Sequence, residues 1–136
     1  MKFFLAKTDP ETYSIDDLKK DNETVWDGIH NYTAINVIKK MKKGDIMLIY
    51  HSMGKAALVG AAKITSDGYE NKNDPRFSWA VDVKFLKKFP EEKYITLKSI
   101  KDSKEFNDWA LVKQSRLSTM EVPEKFLRWS GVEELI

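Results

Sequence analysis

The sequence predicts an α+β fold in which a curled, mostly antiparallel sheet closes around one core and short helices sit between its strands. Three observations carry that prediction. Phe3-Phe4-Leu5-Ala6, Ile46-Met47-Leu48-Ile49-Tyr50 and the run from Ala56 to Ile64 are apolar stretches of strand length, the pattern of strands buried on both faces. The helical signals between them are brief, and each begins at a capping residue. The 136 residues, 42% hydrophobic and 32% charged, match the size of one ordinary domain and can bury a core. With no repeat, Gly/Ser/Pro linker or like-charge tail to mark a boundary, residues 1–136 read as a single domain.

Phe3 to Ala6 is a buried strand ended by the Asp9-Pro10 turn signal. Ser14-Ile15-Asp16-Asp17 sets an N-cap hydroxyl three residues before a carboxylate, the start of a short helix running to about Lys20. Val25-Trp26 is strand or loop, broken by Asp27-Gly28. From Tyr32 to Lys42 the residues Ala34, Ile35, Ile38 and Met41 keep the spacing of one helical face, with Gly44 as the stop. The two central apolar runs form a hairpin through Ser52-Met53-Gly54-Lys55, and Gly60 marks a bulge or a close backbone approach. Tyr69 to Pro75 is loop. Trp79, Val81, Val83 and Phe85 alternate along a half-exposed strand. Thr96 caps a short helix, Ser103 caps another toward Trp109, Ser118 to Val122 is extended, and Pro123 opens a last helix closed by Gly131.

Composition removes several functions at once. Lys+Arg 23 against Asp+Glu 21 leaves a net charge of +2, so attraction to nucleic acid must come from a local patch. Without cysteine there is no disulfide, zinc finger or thiol nucleophile, and two separated histidines are a poor basis for a metal site. The six glycines never cluster as a phosphate loop or dinucleotide fingerprint would require. No cofactor is expected. No apolar run approaches the ~20 residues of a membrane span, and the N-terminal run returns to charge at Lys7, so the expectation is no membrane partner and an intracellular, cytoplasmic protein, or a nuclear one in a eukaryote.

The informative polar residues stand at the ends of elements. Trp26-Asp27-Gly28-Ile29-His30-Asn31-Tyr32 gathers two large rings and an amide around a glycine turn that leads into a helix. Such a turn can offer an aromatic face to a flat polar ring. It equally fits Trp26 as core, Asn31 as helix cap and Tyr32 as cover for the first turn. Tyr50-His51-Ser52 ends an apolar strand in three hydrogen-bonding side chains; His51 is either a base or edge reader, or a strand-end imidazole satisfied by backbone. Lys113-Gln114-Ser115-Arg116-Leu117-Ser118 holds one of only three arginines, a residue suited to planar recognition of phosphate or a base edge and equally at home on a solvated surface.

Taken in order, Lys7-Thr8-Asp9-Pro10, Tyr13-Ser14-Ile15-Asp16-Asp17-Leu18, Trp26 to Tyr32, Met41-Lys42-Lys43-Gly44-Asp45, Tyr50-His51-Ser52, Val81-Asp82-Val83 and Arg116-Leu117-Ser118 resemble the EVE domain family over nearly the whole chain. The resemblance implies a PUA-like fold, a curled β-barrel with short helices covering its ends. It implies a binding module, not an enzyme, that takes nucleic acid, RNA or DNA, by a modified base held in an aromatic-lined pocket. Carried over by position, the ligand-binding residues are Trp26, Asn31 and Tyr32, then Tyr50, His51 and Ser52, then Arg116, Leu117 and Ser118. His30 and Ile35 stand where the family usually has arginine. The rival reading comes from ASCH relatives of the same superfamily: a small hydrolase or transferase acting on a modified nucleoside or nucleotide, with Lys7, Asp27 or His51 as acid or base.

Overall fold

A computed structural model describes residues 1–136. Strand β1 (Phe3–Thr8) lies inside the sheet, parallel to β3 (Ile46–His51) on one side and antiparallel to β8 (Thr119–Glu121) on the other. Phe3 to Ala6 are all buried, as expected of a strand covered on both faces. The order is β2-β6-β4-β3-β1-β8, with β2 at Glu23–Ile29, β4 at Ala57–Ile64 and β6 at Trp79–Lys88. Two short strands branch from this path: β5 (Tyr69–Glu70) pairs with β6, and β7 (Ile95–Thr96) pairs with β4. Every ladder except β1–β3 is antiparallel. The sheet curls into a half-barrel, and its two end strands, β2 and β8, share no ladder.

Asp27-Gly28 does not end β2 as the sequence suggested. In a regular strand Trp26 and Ile29, three residues apart, would face opposite sides, yet both are buried. The ladder with β6 shifts register between them and Gly28 takes φ +76, so an extra residue returns Ile29 to the core side. The predicted glycine effect in β4 takes both of its forms. The ladder to β3 shifts register beside Gly60, and a Cβ there would meet Lys87 O and the Ile15 side chain.

Helix α1 (Ile15–Asp21) begins with the expected capping box: Asp17 N donates to Ser14 Oγ, and Ser14 N to the Asp17 carboxylate. Helix α2 (Tyr32–Ile38) starts at Asn31, whose Oδ1 accepts from Ala34 N. It stops four residues short of the expected end because the chain tightens, with Lys40 N bonding Val37 O and Met41 N bonding Ile38 O. Met41 still reaches the core, and the Asp45 carboxylate takes Lys42 N and Lys2 N in place of helical acceptors. Thr96 caps α3 (Leu97–Ser103). Ser103 caps no second helix: its hydroxyl donates to Ile100 O at the end of α3, and α4 (Ala110–Lys113) starts only after Trp109. Pro123 and Gly131 bound α5 (Glu124–Ser130) as expected. One cluster of 34 buried residues joins the sheet to these helices.

Candidate functional site

The half-barrel leaves a gap between β2 at one end of the sheet and β1 near the other, and a cavity of about 770 Å³ lies there. Lys7, Thr8 and Asp9 line it from the polar end of β1, Thr12 and Tyr13 from the following turn, Thr24 to Ile29 from β2, and Ser118 from the approach to β8. Lys7 N donates to Ser118 O at 2.8 Å, which ties the last wall to the first. Trp26 is 9% exposed and meets Tyr13 edge to face, with centroids 6.2 Å apart. Burial, reinforced by the bond its phenol donates to Asp21, raises the Tyr13 pKa and keeps it a donor.

The Lys7 amine sits among these groups. It donates to Ser115 O at 3.0 Å and stands 5.8 Å from the Tyr50 ring centroid, and burial lowers its pKa. Donors at Lys7, Thr24 and Ser118 and acceptors at Asp9 and Asp27 thus surround an aromatic wall. This combination suits a flat, partly polar molecule.

A second, smaller depression of about 340 Å³ is lined by Asn31, Thr33 and the five residues Lys113 to Leu117. The nine residues marked from the sequence divide accordingly. Trp26 and Ser118 line the cavity; Asn31, Arg116 and Leu117 line the groove. Tyr50, His51, Ser52 and Tyr32 line neither. Tyr50 is buried beside Lys7 in the β1–β3 ladder. Ser52 donates its N–H to Thr8 O and so supports the cavity wall from behind. Tyr32 is 73% exposed and packs its ring on Phe77.

His51 spends its Nε2 lone pair on the Ile15 N–H at 3.0 Å. Burial lowers its pKa, with Asp16 opposing and Lys88 adding to the shift. An imidazole so engaged anchors α1 and has no free Nε2 with which to act as a base. In the tryptophan turn Asn31 is the helix cap and Trp26 is buried, and Trp26 also lines the cavity.

Tyr13, Thr8, Asp9 and Thr24 line the cavity, although the sequence does not single them out as ligand-binding residues. The signal was the apolar strand Phe3–Ala6 ending in Lys-Thr-Asp, the same pattern that drew attention to Tyr50-His51-Ser52. The parallel ladder sets Lys7 against Tyr50 and Thr8 against His51, so the two polar ends meet.

The sequence pattern of the EVE domain matches residues 2–134. The chain belongs to the EVE domain family. Thymocyte nuclear protein 1 of Rattus norvegicus is 32% identical over 73% of this chain and 55% of its own length. This EVE domain therefore spans about half the length of the curated relatives it matches. Among solved structures, a protein from Pseudomonas syringae is 29% identical with a TM-score of 0.82, covering 98% of both chains. The human THYN1 protein, in complex with 5-methylcytosine-containing DNA, is 26% identical with a TM-score of 0.82, again covering 98% of both chains. These likenesses establish the PUA-like fold. Of the two positions marked in the sequence as departures from the family resemblance, Ile35 is core, and His30 bonds Phe77 O and lies 3.6 Å from Asp74. No helix is long and apolar enough to cross a membrane.

Proposed function

We propose that this EVE domain is a nucleic-acid-binding module that takes a modified base, turned out of its stack, into the cavity between β1 and β2. The observation that carries the reading is the cavity's composition. Trp26 and Tyr13 supply aromatic surface, and Lys7, Thr24, Ser118, Asp9 and Asp27 supply both signs of hydrogen bond. Stacking on an aromatic side chain is worth ~1–3 kcal/mol per base, and polar groups at the edge choose among bases. A carboxylate accepts from the exocyclic N4 amine of cytosine, a role open to Asp9 or Asp27. The human relative solved with 5-methylcytosine-containing DNA supports a modified cytosine as the first ligand to try.

A methyl group adds only ~1–3 kcal/mol in an apolar pocket, so the preference for modified over plain base is tenfold to about a hundredfold. Fluorescence anisotropy with matched DNA and RNA oligonucleotides, carrying cytosine or 5-methylcytosine, tests this. Tighter binding of the modified strand is expected. Equal affinity for both across single strands and duplexes counts against a base-reading cavity, and conversion of the nucleoside during incubation would favour the hydrolase or transferase reading.

A further inference from the structure

We propose that the groove formed by Asn31, Thr33 and Lys113 to Leu117 seats the phosphodiester backbone of the strand whose base enters the cavity, with Lys113 and Arg116 each neutralising one phosphate. The inference rests on the reading of the cavity given above. Its first support is continuity of the chain. The same two stretches of polypeptide wall both depressions: Trp26 to Ile29 and Ser118 border the cavity, and a few residues away along each stretch Asn31, Thr33 and Lys113 to Leu117 border the groove. The linings come nearest in the chain at Ile29 and Asn31 and at Leu117 and Ser118, which makes the two depressions neighbours.

Charge is the second support. The groove's lining holds two cations and no carboxylate. Lys113 and Arg116 are both exposed, and neither lies within 4 Å of an acid that would offset its charge. In a chain of net charge +2, two exposed and unpaired cations beside neutral donors form the kind of local patch that a polyanion requires. The depression against Phe106 and Trp109 is the opposite case. Glu105, Asp108 and Glu121 line it against one cation, Lys125, and the excess of negative charge would repel a phosphate chain.

The chemistry of the lining is the third. A guanidinium grips two phosphate oxygens at once while an ammonium acts as a point charge. The Thr33 hydroxyl and the Gln114 amide are neutral donors of the type that commonly completes a phosphate contact. The loop that carries Arg116 is held in place, because Lys7 Nζ donates to Ser115 O and Leu117 N donates to Gln114 O.

The test is the salt dependence of oligonucleotide binding by wild type, Lys113→Gln, Arg116→Gln, the double variant and the control Lys98→Gln. Plain and 5-methylcytosine strands are both titrated from 50 to 200 mM salt, and each variant is checked by circular dichroism and thermal melting. Each neutralised phosphate contributes about 0.7–0.9 to the slope of log affinity on log salt. Loss of each cation should therefore lower the magnitude of the slope by about one unit, so that the fourfold rise in salt costs each single variant about threefold less affinity than it costs wild type. The ranking of modified over plain strand should survive. An unchanged slope in the double variant overturns the groove, as does an equal loss in Lys98→Gln. Equal binding of modified and plain strands with the slopes falling as stated would instead overturn the base cavity alone. A wild type that binds neither strand overturns both.

Discussion

Trp26→Ala should damage the fold as well as the site, and the size of each loss follows from where the ring lies. Trp26 is 9% exposed, packs edge to face on Tyr13, and sits at the register shift that turns Ile29 inward. Truncating a buried tryptophan to alanine costs ~3–5 kcal/mol, a large part of the ~5–15 kcal/mol that holds a domain together. For a domain of this size the melting temperature falls by roughly 10–20 °C. Trp26→Phe keeps a ring against Tyr13 and costs about 1–2 kcal/mol, since it removes volume without emptying the site. The phenylalanine variant therefore separates the two roles. Melting by circular dichroism gives the stability loss, and titration with a 5-methylcytosine oligonucleotide well below the midpoint gives the binding loss. Stacking worth ~1–3 kcal/mol on the full indole should weaken binding by a factor of several in Trp26→Phe. An alanine variant melting within a few degrees of wild type would refute the packing, and wild-type affinity in both variants would refute the aromatic wall.

Two further perturbations probe the scaffold around the cavity. Gly60→Ala would drive a Cβ onto Lys87 O and to within 2.7 Å of Ile15 Cδ1, so urea denaturation should show a loss of about 1–3 kcal/mol; an unchanged midpoint would mean β4 and β6 can part there at no cost. His51 has a folded-state pKa lowered below 6.5 by burial, with Asp16 opposing and Lys88 adding, so its contribution to stability is complete above about pH 6.5 and is lost as pH falls through the folded value. Protonation would turn its Nε2 against the Ile15 N–H and leave that donor unmet, at ~1–3 kcal/mol. Wild type should lose more stability between pH 8 and pH 5 than His51→Gln, whose carbonyl accepts at any pH, and parallel profiles would rule the imidazole out.

What could be read from the sequence was local, and what could not depended on pairing across the sheet. Ser14, Asn31, Thr96 and Pro123 announced helix starts because a cap needs only the next three residues. Ser103 had the same side chain but lay at the end of a helix already under way, where a hydroxyl bonds back to the preceding turn. Asp27-Gly28 read as a break because its role as a bulge exists only relative to β6, a strand fifty residues away. For the site, the tryptophan turn and the strand-end triplet were conspicuous for their composition. Of the triplet, however, Tyr50 is buried beside Lys7, His51 holds α1, and Ser52 braces Thr8. Lys7 and Thr8, beside Tyr50 and His51 in the parallel ladder, and Asp9 just after them line the cavity instead, and no short-range pattern distinguishes one polar strand end from its neighbour.

The incomplete closure of the barrel links fold to function. An edge strand carries backbone N–H and C=O groups that no neighbouring strand satisfies, and proteins blunt such edges to prevent pairing with other chains. Here β2 ends the sheet, its bulge at Gly28 makes the edge irregular, and residues Thr24 to Ile29 turn toward a cavity that water or a ligand can fill. A ladder between β2 and β8 would satisfy those groups and stiffen the domain. It would also close the cavity that Trp26 and Ser118, two of the residues marked from the sequence, help to line. The stability forgone at the edge is thus the condition for a polar slot with an aromatic side. Its neighbouring groove is lined by two cations and no carboxylate, and a carboxylate there would compete with the phosphates we assign to it.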